Sequence, residues 1–214
     1  MKYRITENSK LFYGTTLYQI QGVDNGELGG WIEKESNLDQ EGSCWVYGNA
    51  LVLGNARVFG DARVLGDARV LGDARVLGDA WVYGNALVFG DARVFGNAQV
   101  FGDAQVYGDA RVYGDAQVCG NARVLGNARV FGDAQVFGDA VLSSDKNFVM
   151  VSVGDGYTIT LTDNHVQIGC EQVGLDGDLY GKLRGLGVKQ GINDTRIAAY
   201  ISIIEGLLLL RGNK

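Results

Sequence analysis

The chain has 214 residues, enough for one substantial core and too few for three independent domains. Hydrophobic residues make up 46 % of it, which excludes a disordered chain. A formal net charge of −6 excludes general affinity for DNA, RNA or an anionic membrane, which need a basic surface. Glycine is abundant at 33 residues and proline is absent, so the glycine is positional and not the mark of a flexible linker. Cys44, Cys119 and Cys170 are an odd count without CxxC spacing, which points to a reducing, cytoplasmic setting without a disulfide framework.

The first residues, MKYRITENSK, hold no apolar stretch of the kind a secretion signal needs. Residues 1–41 read as an N-terminal β cap, with short strands at 2–6 and 17–21 followed by a turn at Gly29-Gly30-Trp31.

From Gly42 to Gly138 glycine falls at every sixth position, giving 17 hexads that end at Ser143. The consensus is G-[DN]-A-x-V-z. The second place is Asp ten times, Asn six times and Ser once. The third is Ala except for Cys44, and the fifth is Val except for Leu142. A six-residue period fits neither an α-helix nor a coiled coil, whose apolar stripes recur at 3.6 or 3.5. Short fixed periods of this kind mark β-solenoids. Ala and Val supply a narrow apolar interior, while the Gly–Asx pair tolerates the positive φ that turns a corner. Three hexads close a triangular coil of 18 residues, so the repeats make between five and six coils, a prism about 27 Å long at the usual strand spacing.

Residues 144–214 lose the period. Segments 147–153, 157–161 and 165–169 read as three strands, joined by Gly154-Asp155-Gly156 and Thr162-Asp163-Asn164 turns. Two helices are predicted at about 176–187 and 194–210, the second capped by Asn193 or Asp194, with Ile197, Ile201, Ile204 and Leu208 on one apolar face. The fold class is therefore mainly β: a parallel β-helix with an N-terminal β cap and a small C-terminal α+β domain. The apolar run at 207–210 is too short to span a bilayer.

Stacking at 18 residues sorts the outward x and z positions into three faces. The first carries Trp45, Arg63, Trp81 and three glutamines at x, with Tyr47, Tyr83, Phe101 and Phe137 at z. The second mixes Leu, Arg, Gln and Val. The third carries only arginine at x: Arg57, Arg75, Arg93, Arg111 and Arg129. The apolar z ladders argue for cover of at least one face by another subunit or by the terminal domains, and a homo-oligomer is expected through Trp45, Tyr47, Trp81, Tyr83, Phe101 and Phe137, with Ile201, Ile204 and Leu208 of the last helix. Self-stacking of the ladders is the alternative. The five arginines form either a lattice with the corner aspartates or a strip for an anionic partner.

The spacing V-z-G-[DN]-A-x resembles the left-handed β-helix of hexapeptide acyltransferases. The stretch Leu28-Gly-Gly-Trp-Ile-Glu-Lys-Glu-Ser-Asn-Leu38, running into Cys44-Trp-Val-Tyr-Gly-Asn-Ala50, is similar to the N-terminal cap of a family of repeat proteins found in phages and prophages. The resemblance implies left-handedness and implies no particular activity. Hexapeptide acyltransferases use a histidine at the groove between subunits, whereas the single histidine here, His165, lies outside the repeats. His165 and Cys170 lie five apart around one predicted strand, so their side chains would point to opposite faces.

No catalytic residues, metal or cofactor are expected. The expected role is a non-catalytic, phage- or prophage-encoded binding protein in the host cytoplasm. It would engage a host protein, in counter-defence or host takeover, or sequester a small anionic ligand. A self-assembling or virion-associated scaffold and a divergent acyltransferase are the alternatives.

Overall fold

The computed structural model describes residues 1–144, 149–153, 157–168, 171–189 and 191–212. A β-hairpin opens the chain, β1 (Tyr3–Phe12) pairing antiparallel with β2 (Thr15–Gly22). The expected turn at Gly29-Gly30-Trp31 is instead a third strand, β3 (Leu28–Ile32), antiparallel to β2 and parallel to the first coil. Its glycines serve close packing. A Cβ on Gly30 would meet the Ala50 carbonyl at 2.8 Å, and one on Gly29 the Val46 carbonyl at 2.8 Å.

Seventeen two-residue strands follow, β4 (Trp45–Val46) to β20 (Val141–Leu142). They form three parallel sheets, one per face, with every third strand adjacent. This is a parallel β-solenoid, as the hexad period requires. Each Ala–x–Val step alternates, so Ala and Val point inward and are fully buried along the whole prism. The corner glycines hold φ between +59° and +74°. At Gly96 a Cβ would also stand 3.0 Å from the backbone nitrogen of Gly114 one coil on, so two independent constraints demand glycine there. Backbone bonds join each rung to the next, for example Arg75 N to Ala92 O and Leu77 N to Val94 O at 2.9 and 3.0 Å.

At both ends of the solenoid side chains imitate part of a missing rung. At the N-terminal end Asn37 is fully buried. Its amide nitrogen donates to the Gly54 and Ala56 carbonyls at 3.1 and 2.9 Å, and its oxygen accepts from Lys34 N at 2.9 Å. The Tyr3 hydroxyl sits 2.8 Å from the Leu38 carbonyl, and burial, then Glu35, Cys44 and Asp39, push that phenol above its ordinary range. At the other end Asn164 accepts from Val141 N at 2.7 Å and Asp163 from Ser143 N at 2.8 Å, while Gln167 donates to the Phe137 carbonyl at 3.0 Å. These bonds occupy edge groups of the terminal coils that would otherwise be open to end-to-end pairing.

The C-terminal part holds a four-stranded antiparallel sheet, β21 (Val149–Val153), β22 (Tyr157–Leu161), β23 (His165–Ile168) and β24 (Glu171–Gly174). The first three match the predicted strands; the fourth was not foreseen. The turn expected at Gly154-Asp155-Gly156 lies outside the described residues. Two helices, α1 (Leu179–Lys189) and α2 (Asp194–Gly212), pack on this sheet. Asn193 caps α2, its side chain accepting from Arg196 N at 3.0 Å. The helices cross where Gly187 meets Ile197.

Candidate binding face

The third face is built as the period requires. Arg57, Arg75, Arg93, Arg111 and Arg129 pair in register, each the direct neighbour of the next. The inward Val beside each arginine fixes the backbone, so each side chain leaves the prism, and all five are exposed. The rings beside the ladder stack as well: Phe95 on Tyr113 with planes 2° apart at 4.8 Å, and Tyr113 on Phe131 at 18° and 5.5 Å.

The expected arginine–aspartate lattice is not formed. Among the described residues none of the five makes an ion pair; the pairs Lys182–Asp176 and Lys189–Glu171 lie in the C-terminal part. Several corner aspartates bond along their own columns instead. Asn55 donates to Asp73 at 3.1 Å and Asn97 to Asp115 at 2.8 Å, while the Ser43 hydroxyl and N–H hold the Asp61 carboxyl below its ordinary range. Five guanidinium groups about 4.8 Å apart thus stand without a carboxylate partner among the described residues.

At the N-terminal end of the ladder a cleft of about 510 Å³ opens between residues 35–40 and 57–59, lined by Glu35, Asp39, Arg57 and Phe59 among others. The sequence offered no signal for it, because the cap side is not periodic.

The residues expected to form an oligomer interface are scattered in their fates. Trp45 is 8 % exposed, covered by the chain's own cap, with Tyr3 edge-on to it at 6.2 Å. Tyr47 is half-buried against the core. Tyr83 stacks on Phe101 at 4.8 Å and Phe137 is half-buried, so the ladder partly covers itself. Trp81 alone of the set stays open, at 39 %, beside a cleft of about 450 Å³ with Leu65, Tyr83 and Gln99 in its wall and the Arg63 guanidinium 5.0 Å from its ring. Ile204 is 1 % exposed, and Ile201 and Leu208 pack against the same C-terminal cluster, so this face of α2 is spent on its own sheet.

His165 lies at the junction of sheet and solenoid, where burial lowers its pKa. Cys170, its suggested neighbour, is outside the described residues. Burial pushes the Cys119 thiol up, which disfavours a thiolate nucleophile on the first face. Among the described residues no group of His, Cys, Asp and Glu is arranged to hold a metal ion, and no helix is long and apolar enough to cross a membrane.

A family model described as the YdcK beta-solenoid repeat matches residues 104–116 and 116–132, a stretch that includes Arg111 and Arg129. A comparison with curated proteins finds no match. The chain is a β-solenoid repeat protein.

Proposed function

We propose that this solenoid is a non-catalytic binding protein whose arginine face engages an acidic partner or a small anionic ligand. One observation carries the reading: five exposed arginines stand in register without an ion pair among the described residues. Folding alone does not demand them, since the other two faces have the same corners and core with Trp, Leu and Gln at the equivalent places. Arginine suits carboxylate and phosphate through paired N–H donors. The rigid prism holds the donors in place, so little order is lost on binding.

The likeness of the cap to phage and prophage repeat proteins supports a host factor as the partner and the bacterial cytoplasm as the place of action. The histidine-free repeats argue against acyl transfer. A second reading, self-association through the first face, is favoured by the openness of Trp81.

The test compares the wild-type protein with an Arg75→Gln, Arg93→Gln, Arg111→Gln variant in pull-downs from host lysate and in native mass spectrometry. Wild type should retain an acidic protein or a small anion that added salt releases, and the variant should lose it. Identical retention by both would reduce the ladder to a solvated surface. Light scattering on wild type and on Trp81→Glu answers the second reading.

A further inference from the structure

We propose that the arginine face is a docking rail for an acidic α-helix of another protein, one carboxylate per helical turn meeting one arginine per coil. This rests on the reading of the ladder as a binding face and adds the shape of the partner.

Spacing is the first argument. Successive rungs lie about 4.8 Å apart and stay in register from Arg57 to Arg129, with the rings beside them turning by 2° from Phe95 to Tyr113 and by 18° from Tyr113 to Phe131. An α-helix advances about 5.4 Å per turn, so side chains at i, i+4, i+7 and i+11 recur on one stripe at nearly the rung spacing. With such a helix centred on Arg93, carboxylates drift from the end rungs by only about 1.2 Å, within the reach of a flexible arginine. An extended strand places same-side groups about 6.7 Å apart, so it offers at most about four carboxylates along the same five arginines. The helix matches the ladder one to one.

The neighbouring column is the second argument. Phe59, Leu77, Phe95, Tyr113 and Phe131 run parallel to the arginines on the same face, and Phe131 is 44 % exposed. A partner that fits both columns carries an apolar stripe beside its acidic one, which is what an amphipathic helix presents.

Charge at the borders is the third. The corner before the face carries Asp73, Asp91 and Asp109 in one column, and the corner after it carries Asp61, Asp79, Asp115 and Asp133. A wide polyanion such as duplex DNA would press phosphates against both columns, and the net charge of −6 adds to the penalty. A helix with carboxylates on one stripe touches the basic column and avoids the acidic ones. The helices of a second copy of this chain do not supply such a stripe, because α1 has no acidic residue and α2 has only Asp194 and Glu205.

The test uses the full chain and labelled probes in fluorescence anisotropy. The first probe is a helical peptide of about five turns with glutamates on one stripe and leucines on the next. The second has the same composition with the glutamates scattered around the helix. The third and fourth are single-stranded and duplex DNA of equal charge. The striped peptide should bind about tenfold or more tighter than the scattered one, and the Arg75→Gln, Arg93→Gln, Arg111→Gln variant should lose that binding by a similar factor. Circular dichroism of the complex should retain the helical signal. Equal binding of striped and scattered peptides, both lost in the variant, would overturn the helical partner while leaving an anion-binding face. Tighter binding of either DNA would overturn the partner class. Binding of no probe, or binding indifferent to the triple variant, would overturn the docking rail.

Discussion

The side-chain amide of Asn97 donates to the carboxylate of Asp115, eighteen residues on, at 2.8 Å. The same bond joins Asn85 to Asp103 and Asn121 to Asp139 at 2.9 and 3.0 Å. At these places the corner columns set a neutral donor beside a carboxylate and limit repulsion between stacked charges. Asn97→Asp would place a carboxylate between Asp79 and Asp115 in one column. The variant should melt below wild type, with the gap closing as salt is added. A melting temperature equal to wild type at low salt would contradict this.

Gly96 tests the corner itself. Its φ of +70° lies in the left-handed region, and a Cβ would approach Gly114 N to 3.0 Å. Gly96→Ala should cost at least about 1–2 kcal/mol from conformation alone, with more from the contact. Denaturant titration reads this directly, and an unchanged midpoint would mean that the coil relaxes freely.

Three consecutive residues separate inside from outside. Ala92 and Val94 are fully buried and Arg93 between them is exposed. Ala92→Leu should destabilise by about 1–3 kcal/mol through overpacking. Val94→Asp should cost several kcal/mol through burial of a charge, whereas Arg93→Gln should stay within about 0.5 kcal/mol of wild type. Thermal melts of the three variants check the ordering.

Acid should loosen the junction at His165. Burial holds its pKa below the ordinary value of 6.5, opposed by Asp139 and Asp176 and aided by Lys182. The unfolded chain thus binds the proton more readily. The stability that comes from keeping the imidazole neutral is complete above the unfolded value and is lost as pH falls through the folded one. Wild type should lose melting temperature more steeply than His165→Gln as the pH falls below the ordinary histidine value of 6.5. Parallel profiles would remove the histidine from the account.

The repeat was legible because its rules are local and recur every 18 residues. The residue beside each Val had to point outward, and the five arginines had to share a face. Trp45 broke the rule although it occupies the same place as Trp81. Tyr3 covers it from more than 40 residues away, a contact between segments with no common period. The strand at Leu28–Ile32 was read as a turn because Gly29-Gly30 carries that signal, while its true use is close approach to the Val46 and Ala50 carbonyls. β24, with the sequence EQVG, is too short and polar to announce itself and exists because β23 offers it an edge. The arginine–aspartate lattice failed on geometry: corner side chains bond along the prism axis to their own column, and the arginines leave the face between corners.

Along the prism each interior strand pairs with its neighbours 18 residues away in either direction. The prism is thus a ruler whose marks are set by backbone hydrogen bonding and whose length is set by counting. Duplicating or deleting one coil within the repeats adds or removes one arginine, one aromatic or leucine beside it and one corner per column, and leaves both caps and every remaining contact type intact. Length and charge of the face are therefore quantised together. A partner that lengthens its acidic stripe by one helical turn can be followed by a single in-frame insertion of 54 nucleotides, three per residue of the coil.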